Sequence, residues 1–280
     1  MVRIVSDTST LYSTAQAQEA GFDVAPLSVT IAGKSYREFD EISSEEFVAI
    51  IRQGNMPTSS QPAIGEVTAM YEKYPEDEIL NISMAMGLSG TYNSAVAAAQ
   101  LCENAEKITV VNTRTLCGPH RYMVEKAVEM AKAGCSLQEI LDWLNERMDS
   151  AKSFLMPDDF DYLRRGGRLS PLVSYVGKTV KLSPAMTQSD DGCHLIVAGI
   201  RRGFVQAIKL VCENLIKHGA GSGAGWRIYI SHADAIGKAE QAVEILKKTI
   251  PDAYYEILPL SPAFITQGGP CCVAVQIVKE

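Results

Sequence analysis

Histidine is scarce. The 280 residues hold four (His120, His194, His218 and His232), none at metal-ligand spacing from a cysteine or carboxylate, so no metal centre is indicated. The seven cysteines (Cys102, Cys117, Cys135, Cys193, Cys212, Cys271 and Cys272) include no C-x-x-C pair, which argues against both a disulfide framework and a zinc site. Reduced and mostly buried thiols are expected, with the adjacent Cys271 and Cys272 read as small core residues of the run CCVAVQIV. No apolar run approaches the roughly 20 residues of a bilayer span, and MVRIVSDTST at the start lacks a signal-peptide hydrophobic region, so a cytoplasmic protein without stable membrane insertion is expected. Positive charge is short too. Lys+Arg number 26 against 33 Asp+Glu, a net charge of −7, which works against a broad nucleic-acid surface and leaves any anion site local. A Gly-Lys-Ser P-loop, a G-x-S-x-G elbow and a G-x-G-x-x-G fingerprint are all missing, so nucleotide hydrolysis, esterase and dehydrogenase chemistry lack their signatures and no cofactor is implied.

What is present is an ordinary globular composition, 46% hydrophobic and 21% charged, long enough for two compact domains. β-type runs at Val2–Val5, Ile79–Met84, Ile108–Asn112, Lys152–Met156, His194–Gly199, Arg227–Ser231, Tyr254–Pro259 and Val273–Val278 alternate with helical periodicity, the pattern of an α/β fold. Ser136 with Glu139 forms a capping-box pattern ahead of the stripe Leu137, Ile140, Leu141, Leu144 and Met148. Two further stripes run through Phe204, Ile208, Val211 and Leu215, and through Ala239, Val243, Leu246 and Ile250. A boundary is placed at residue 157, dividing an N-terminal α/β domain (1–157) from a C-terminal one (158–280). Asp191-Gly192 predicts a hairpin turn, which brings antiparallel pairing into the second domain. The glycine-rich run from His218 to Gly225 predicts a flexible connection.

Three stretches could carry chemistry. Ile79 to Ala95 reads as a strand, a Gly/Ser turn and an Ala-rich helix, the geometry of an anion site in which helix N–H groups and the hydroxyls of Ser89 and Thr91 converge; alternatively Ser89 only caps the helix. Pro57-Thr58-Ser59-Ser60-Gln61-Pro62 is held extended by its prolines and either presents hydroxyls to a ligand or merely leads into a helix. Tyr162 to Ser170 gathers three arginines around two glycines, which suits a carboxylate or phosphate, or equally a helix C-terminus with cations on its dipole and a glycine stop. Ser6-Asp7-Thr8-Ser9-Thr10 lacks the second aspartate that phosphotransferases place two residues on, since Ser9 stands there.

Taken in order, Ser6-Asp7-Thr8, Thr58-Ser59-Ser60-Gln61-Pro62, Gly87-Leu88-Ser89-Gly90-Thr91-Tyr92, Tyr162 to Ser170 and Ser231-His232-Ala233 resemble the DegV family nearly end to end. The resemblance implies a two-domain α/β protein, with a mostly parallel N-terminal sheet and a mixed second sheet, that binds a long-chain fatty acid between or beside the domains. It also implies a carrier rather than an enzyme, in some members the lipid-presenting subunit of a bacterial fatty acid kinase. Carried over, Ser59, Ser60, Ser89, Gly90 and Thr91 would hold the carboxylate, Arg168 and Gln267 would stand near it, and Arg201 and Arg202 would face a kinase partner. Two departures stand out. Ser59 replaces the usual Thr, and the family's T-H-x-G-P-G becomes Thr266-Gln267-Gly268-Gly269-Pro270-Cys271, so an amide that cannot titrate replaces an imidazole. The alternative reading is an α/β enzyme acting on a phosphorylated small metabolite at the Ser/Arg cleft, although no base is tied by motif to Ser89. A protein-binding regulator using the arginine loop would leave both hydroxyl loops unexplained.

Overall fold

The computed structural model describes residues 1–170 and 182–280. Strand β1 (Val2–Asp7) lies between β2 (Asp23–Ala25) and β6 (Glu78–Ser83), with β7 (Ile108–Asn112) beyond, in a four-stranded sheet of order β2-β1-β6-β7 whose ladders are all parallel. β1 and β6 are buried on both faces along most of their length, as strands of a parallel sheet covered on both sides are. A six-stranded mixed sheet of order β10-β9-β8-β13-β11-β12 is built from β8 (Lys152–Met156), β9 (Leu182–Gln188), β10 (Leu195–Arg202), β11 (Trp226–His232), β12 (Tyr254–Pro259) and β13 (Val273–Lys279). β8, which precedes the division drawn at 157, is hydrogen-bonded into this second sheet through β13 and β9.

Helix α5 (Cys117–Lys132) lies between the two sheets, packed on β1 on one side and on β11 and β13 on the other, with α6 (Leu137–Met148) beside it. Both belong to the core that also takes in Ile4, Leu80, Tyr229 and Val278. The outer face of the parallel sheet is closed by α3 (Ile64–Tyr71) and α4 (Thr91–Leu101), and that of the mixed sheet by α8 (Phe204–Lys217) and α9 (Ile236–Thr249). The capping box at Ser136 and Glu139 is formed, and Ile140, Leu144 and Met148 of its stripe are buried. The same device starts α1 (Thr14–Ala20) at Ser13 with Gln16, and α2 (Ser44–Arg52) at Ser43 with Glu46.

The structure adds a three-stranded antiparallel sheet, order β4-β3-β5, from β3 (Ser28–Ile31), β4 (Lys34–Arg37) and β5 (Thr58–Ser60). β5 is the stretch between prolines read above as a preset extended segment. The expected hairpin joins β9 and β10, Gly192 taking φ +70° at its turn. The run from His218 to Gly225 is a correction: it folds into a compact 3-10 turn with Ala220 fully buried, tied to the C-terminus where the Glu280 N–H donates to the carbonyl of Gly225 at 2.8 Å. Every cysteine is free, and four are buried; Cys271 is half-buried with φ +63°, while burial pushes its neighbour Cys272 up to about 12. Among the described residues no helix is long and apolar enough to cross a membrane, and no group of three or more His, Cys, Asp or Glu could hold a metal ion.

Candidate functional site

Four separated stretches of chain converge at one end of a cavity. The first is the turn between β6 and α4, where Leu88 and Ser89 donate backbone N–H groups to Ala85 O and the Ser89 and Thr91 hydroxyls meet at 2.7 Å. Ser89 Oγ also accepts from the Thr91 N–H at 3.3 Å, so its hydroxyl faces the start of α4 without being the capping residue, a position held by Gly90. A Cβ at Gly87 would strike the backbone of Gly192 and Cys193, so this turn sits directly against the hairpin tip.

The second is β5. Backbone pairing sets Ser59 opposite Val29 and Ser60 opposite Ser28, and since neighbouring strand residues face opposite ways, Ser59 points inward while Ser60 is exposed. Gln61, next along, lies against Gly90 so closely that a Cβ there would overlap its amide; this contact joins the two hydroxyl loops. The third stretch is α7 (Phe160–Gly166), which ends with Gly167 in the left-handed region and Arg164 and Arg165 in its last turn. The helix-end reading of this segment is realised. Arg164 ion-pairs within the helix to Asp161, whereas Arg168 lies past the glycine stop and turns inward, its Nε donating to Leu88 O at 3.2 Å and its Nη1 to Gly166 O. Its own carbonyl accepts from the Leu195 N–H at 2.8 Å, which pins it to β10.

The fourth is α10 (Pro262–Gly268). Gln267 in its last turn donates from Nε2 to Ser59 Oγ at 3.1 Å, while its Oε1 is buried, packed on Gly166 and without a hydrogen-bond partner among the described residues. Rotating the amide by half a turn exchanges these roles: Ser59 then donates to Oε1, and Nε2 becomes a free donor.

Arg168 and Gln267 line a cavity with about 730 Å³ of unfilled space, open solvent at its mouth included. Its remaining wall is dominated by apolar groups, among them Met84, Leu88, Leu116, Leu155, Met186, Leu195, Leu260 and Phe264. Ser59, Ser89 and Thr91 are not on this wall themselves; they stand behind Gln267 and Leu88 at the polar end.

Sequence reasoning missed the polar cluster beneath the site. Ser6 to Thr10 are all buried, and Asp7 ties strand ends together, its Oδ1 accepting from the Ser9 N–H and its Oδ2 from the Met84 N–H, both at 3.0 Å. His120 on α5 is held between Ser9 Oγ at 2.5 Å and Ser6 Oγ at 3.1 Å, and burial lowers its pKa, which keeps the ring neutral. Glu38 is buried as well. Its carboxylate accepts from Thr8 Oγ1 and from the Ala263 N–H at 2.9 Å in the first turn of α10, and burial pushes it up to about 7 against those bonds. No spacing in the sequence connects Glu38 with α10. Arg201 and Arg202 lie apart from the cavity, exposed at the end of β10.

The whole chain, residues 1–280, matches the family described as "Uncharacterised protein, DegV family". The chain belongs to the DegV family. A DegV domain-containing protein of Staphylococcus aureus is 30% identical to this DegV-family chain over 285 residues, covering 99% of it and 98% of the relative. A fatty-acid-binding DegV-family protein of Thermus thermophilus superposes with a TM-score of 0.89 at 25% identity, covering 100% of this chain and 99% of its own. A DegV lipid-binding protein of Thermotoga maritima superposes at 0.85 with 29% identity, covering 99% and 97%. The parallel sheet joined to a mixed sheet is therefore the DegV fold.

Proposed function

We propose that this DegV-family chain is a cytoplasmic carrier that binds a long-chain fatty acid. Its carboxylate meets Gln267 and Arg168 at the polar end of the cavity, with the Ser59, Ser89 and Thr91 hydroxyls and the N–H groups at the start of α4 as a supporting layer behind them, and its tail lies in the apolar cavity. The observation that carries this reading is the position of Arg168 and Gln267 as polar groups at one end of an otherwise mainly apolar cavity. The lobe built on the parallel sheet supplies Met84 and Leu88, and the lobe built on the mixed sheet supplies Leu155 and Met186, so the acid sits where the two meet. The fatty-acid-binding function of structural neighbours such as the Thermus thermophilus protein supports the same reading.

A sixteen- or eighteen-carbon tail, at about 0.8 kcal/mol per buried CH₂, supplies on the order of 10 kcal/mol of gross transfer energy. Ordering and association offset several kcal/mol of that. A carboxylate buried without partners would remove most of the remainder, so the head-group donors make binding tolerable and fix its direction.

The finer part of the proposal is presentation of the acid to a fatty acid kinase. Arg201 and Arg202 stand exposed at the end of an edge strand, and Arg201 has a loose 3.9 Å pairing with Glu213, too weak to hold it from a partner. Arg201→Glu with Arg202→Glu should stop acyl-phosphate formation with the kinase.

Organic extraction of the purified protein followed by mass spectrometry tests the binding reading. A stoichiometric acyl acid supports it. A polar phosphate ester, or no small molecule together with no uptake of added fatty acid, refutes it.

A further inference from the structure

The floor of the cavity changes character along its length. Pairing of Leu155 with Met186 on one side and Ala274 on the other sets these three apolar residues in one row across β9, β8 and β13. Two residues along, on the same face, Ser153 pairs with Gln276, and the register that sets Phe154 opposite Thr187 brings Gln188 beside them. The second row therefore consists of Gln188, Ser153 and Gln276, about 7 Å further on. The apolar row adjoins α10, where Leu155 Cδ1 lies 3.6 Å from the Cβ position of Gly268. β13 runs away from α10, so the polar row is the farther of the two from Gln267.

Two members of the polar row are satisfied by each other and by the fold. Gln276 donates from Nε2 to Leu116 O at 2.9 Å and to Ser153 Oγ at 3.1 Å, and its Oε1 lies 3.4 Å from Ser231 Oγ. Gln188 is different. Its Nε2 is buried and has no hydrogen-bond partner among the described residues, although the side chain lines the cavity. A buried donor left unpaired is costly, and an oxygen atom in the cavity would relieve that cost. Ser153, whose Oγ accepts from Gln276, keeps its own O–H to donate to the same oxygen. Ser153 and Gln188 also wall an adjoining polar cleft with Lys152 and Asp190, so a polar group at this row is not sealed in hydrocarbon.

We infer that the acyl chain this protein is built to take carries an oxygen substituent, a hydroxyl or an oxo group, part-way along its length, received by Gln188 Nε2 and Ser153 Oγ. The inference rests on the fatty-acid reading above and adds the class of acid.

The test is competition against a fluorescent fatty acid on the delipidated full-length protein, using octadecanoic acid and a positional series of its monohydroxylated and oxo derivatives. One derivative should bind about tenfold more tightly than octadecanoic acid, the size of one added hydrogen bond with relief of an unpaired donor. Gln188→Met, close in shape and without the donor, should erase that preference, and Ser153→Ala should reduce it, with thermal unfolding confirming that each variant folds. Equal binding of every derivative and the parent acid, or a preference that survives in folded Gln188→Met, overturns the inference while leaving the fatty-acid reading intact. Failure of all the acids to compete would instead overturn the reading on which it rests.

Discussion

Gln267 and Ser59 are 208 positions apart in the chain, yet the amide of one donates to the hydroxyl of the other at 3.1 Å. That bond joins the last turn of α10 to the edge of the small antiparallel sheet and sets both groups at the polar end of the cavity. A neutral amide there makes a hydrogen bond whose strength does not follow pH.

Restoring the imidazole that the DegV pattern carries should make acid binding pH-dependent. In Gln267→His the added cation exists below about pH 6.5, so affinity for a fatty acid carboxylate should be higher below that point and fall above it, relative to the unsubstituted protein at each pH. Titration calorimetry across that range is the check, and parallel pH profiles for the two proteins would remove Gln267 from the head-group site.

The hydroxyl pair can be tested by deletion. On the proposed reading, Ser59→Ala with Ser89→Ala removes the hydroxyls that support the head-group end, each hydrogen bond worth about 0.5–1.5 kcal/mol, so retention of acid through purification should fall about tenfold while the fold persists. Mass spectrometry of bound lipid with circular dichroism of the protein measures both.

Gly118 on α5 abuts the ring of Tyr229 on β11, where a Cβ would overlap ring atoms, and Tyr229 is fully buried. Gly118→Ala should therefore force α5 from the mixed sheet and cost about 1–3 kcal/mol of stability, read as a lowered unfolding midpoint in urea.

Glu38 makes stability depend on pH in a definite direction. Burial holds its carboxyl near 7 in the folded chain, above the ordinary carboxylate value, so the folded state keeps a proton that the unfolded state releases. The stabilising contribution is complete at pH values below the ordinary glutamate value of about 4.5 and is lost as pH rises to about 7. His120, kept neutral by burial, acts the other way below its ordinary value of 6.5. Comparing unfolding free energies of the protein and Glu38→Gln at each pH isolates the first effect: the difference should move in favour of the unsubstituted protein as pH falls from about 7 to 4.5. A constant difference would mean that Glu38 does not titrate in that window.

Much of the local architecture was legible because its causes are local. Ser136 with Glu139 starts α6 through two reciprocal hydrogen bonds within four residues, and Asp191-Gly192 turns the hairpin because glycine enters positive φ without strain. The turn at Ser89 between strand and helix was equally readable. The prolines around β5 specify only an extended segment: they preset the backbone, but its partner β3 lies some thirty residues earlier and nothing within Thr58–Ser60 specifies that pairing. The run from His218 to Gly225 misled in the opposite sense. Its glycines permit flexibility, but three of the four, Gly219, Gly223 and Gly225, serve positive-φ positions in a turn anchored by the C-terminus.

The sequence by itself determined the alternation of strands and helices, the full-length resemblance to the DegV family and the hydroxyl and arginine residues available to a ligand, because periodicity, capping and motif order are properties of neighbouring residues. The tertiary structure alone decided that Gln267 meets Ser59, that Arg168 turns onto Leu88, that Ser60 faces away, and that Gln188 joins Ser153 and Gln276 in a polar row on a mainly apolar floor. The physical reason is that a cavity is walled by side chains from distant segments, and their meeting depends on strand register and on how closely glycines such as Gly90 and Gly166 let those segments approach.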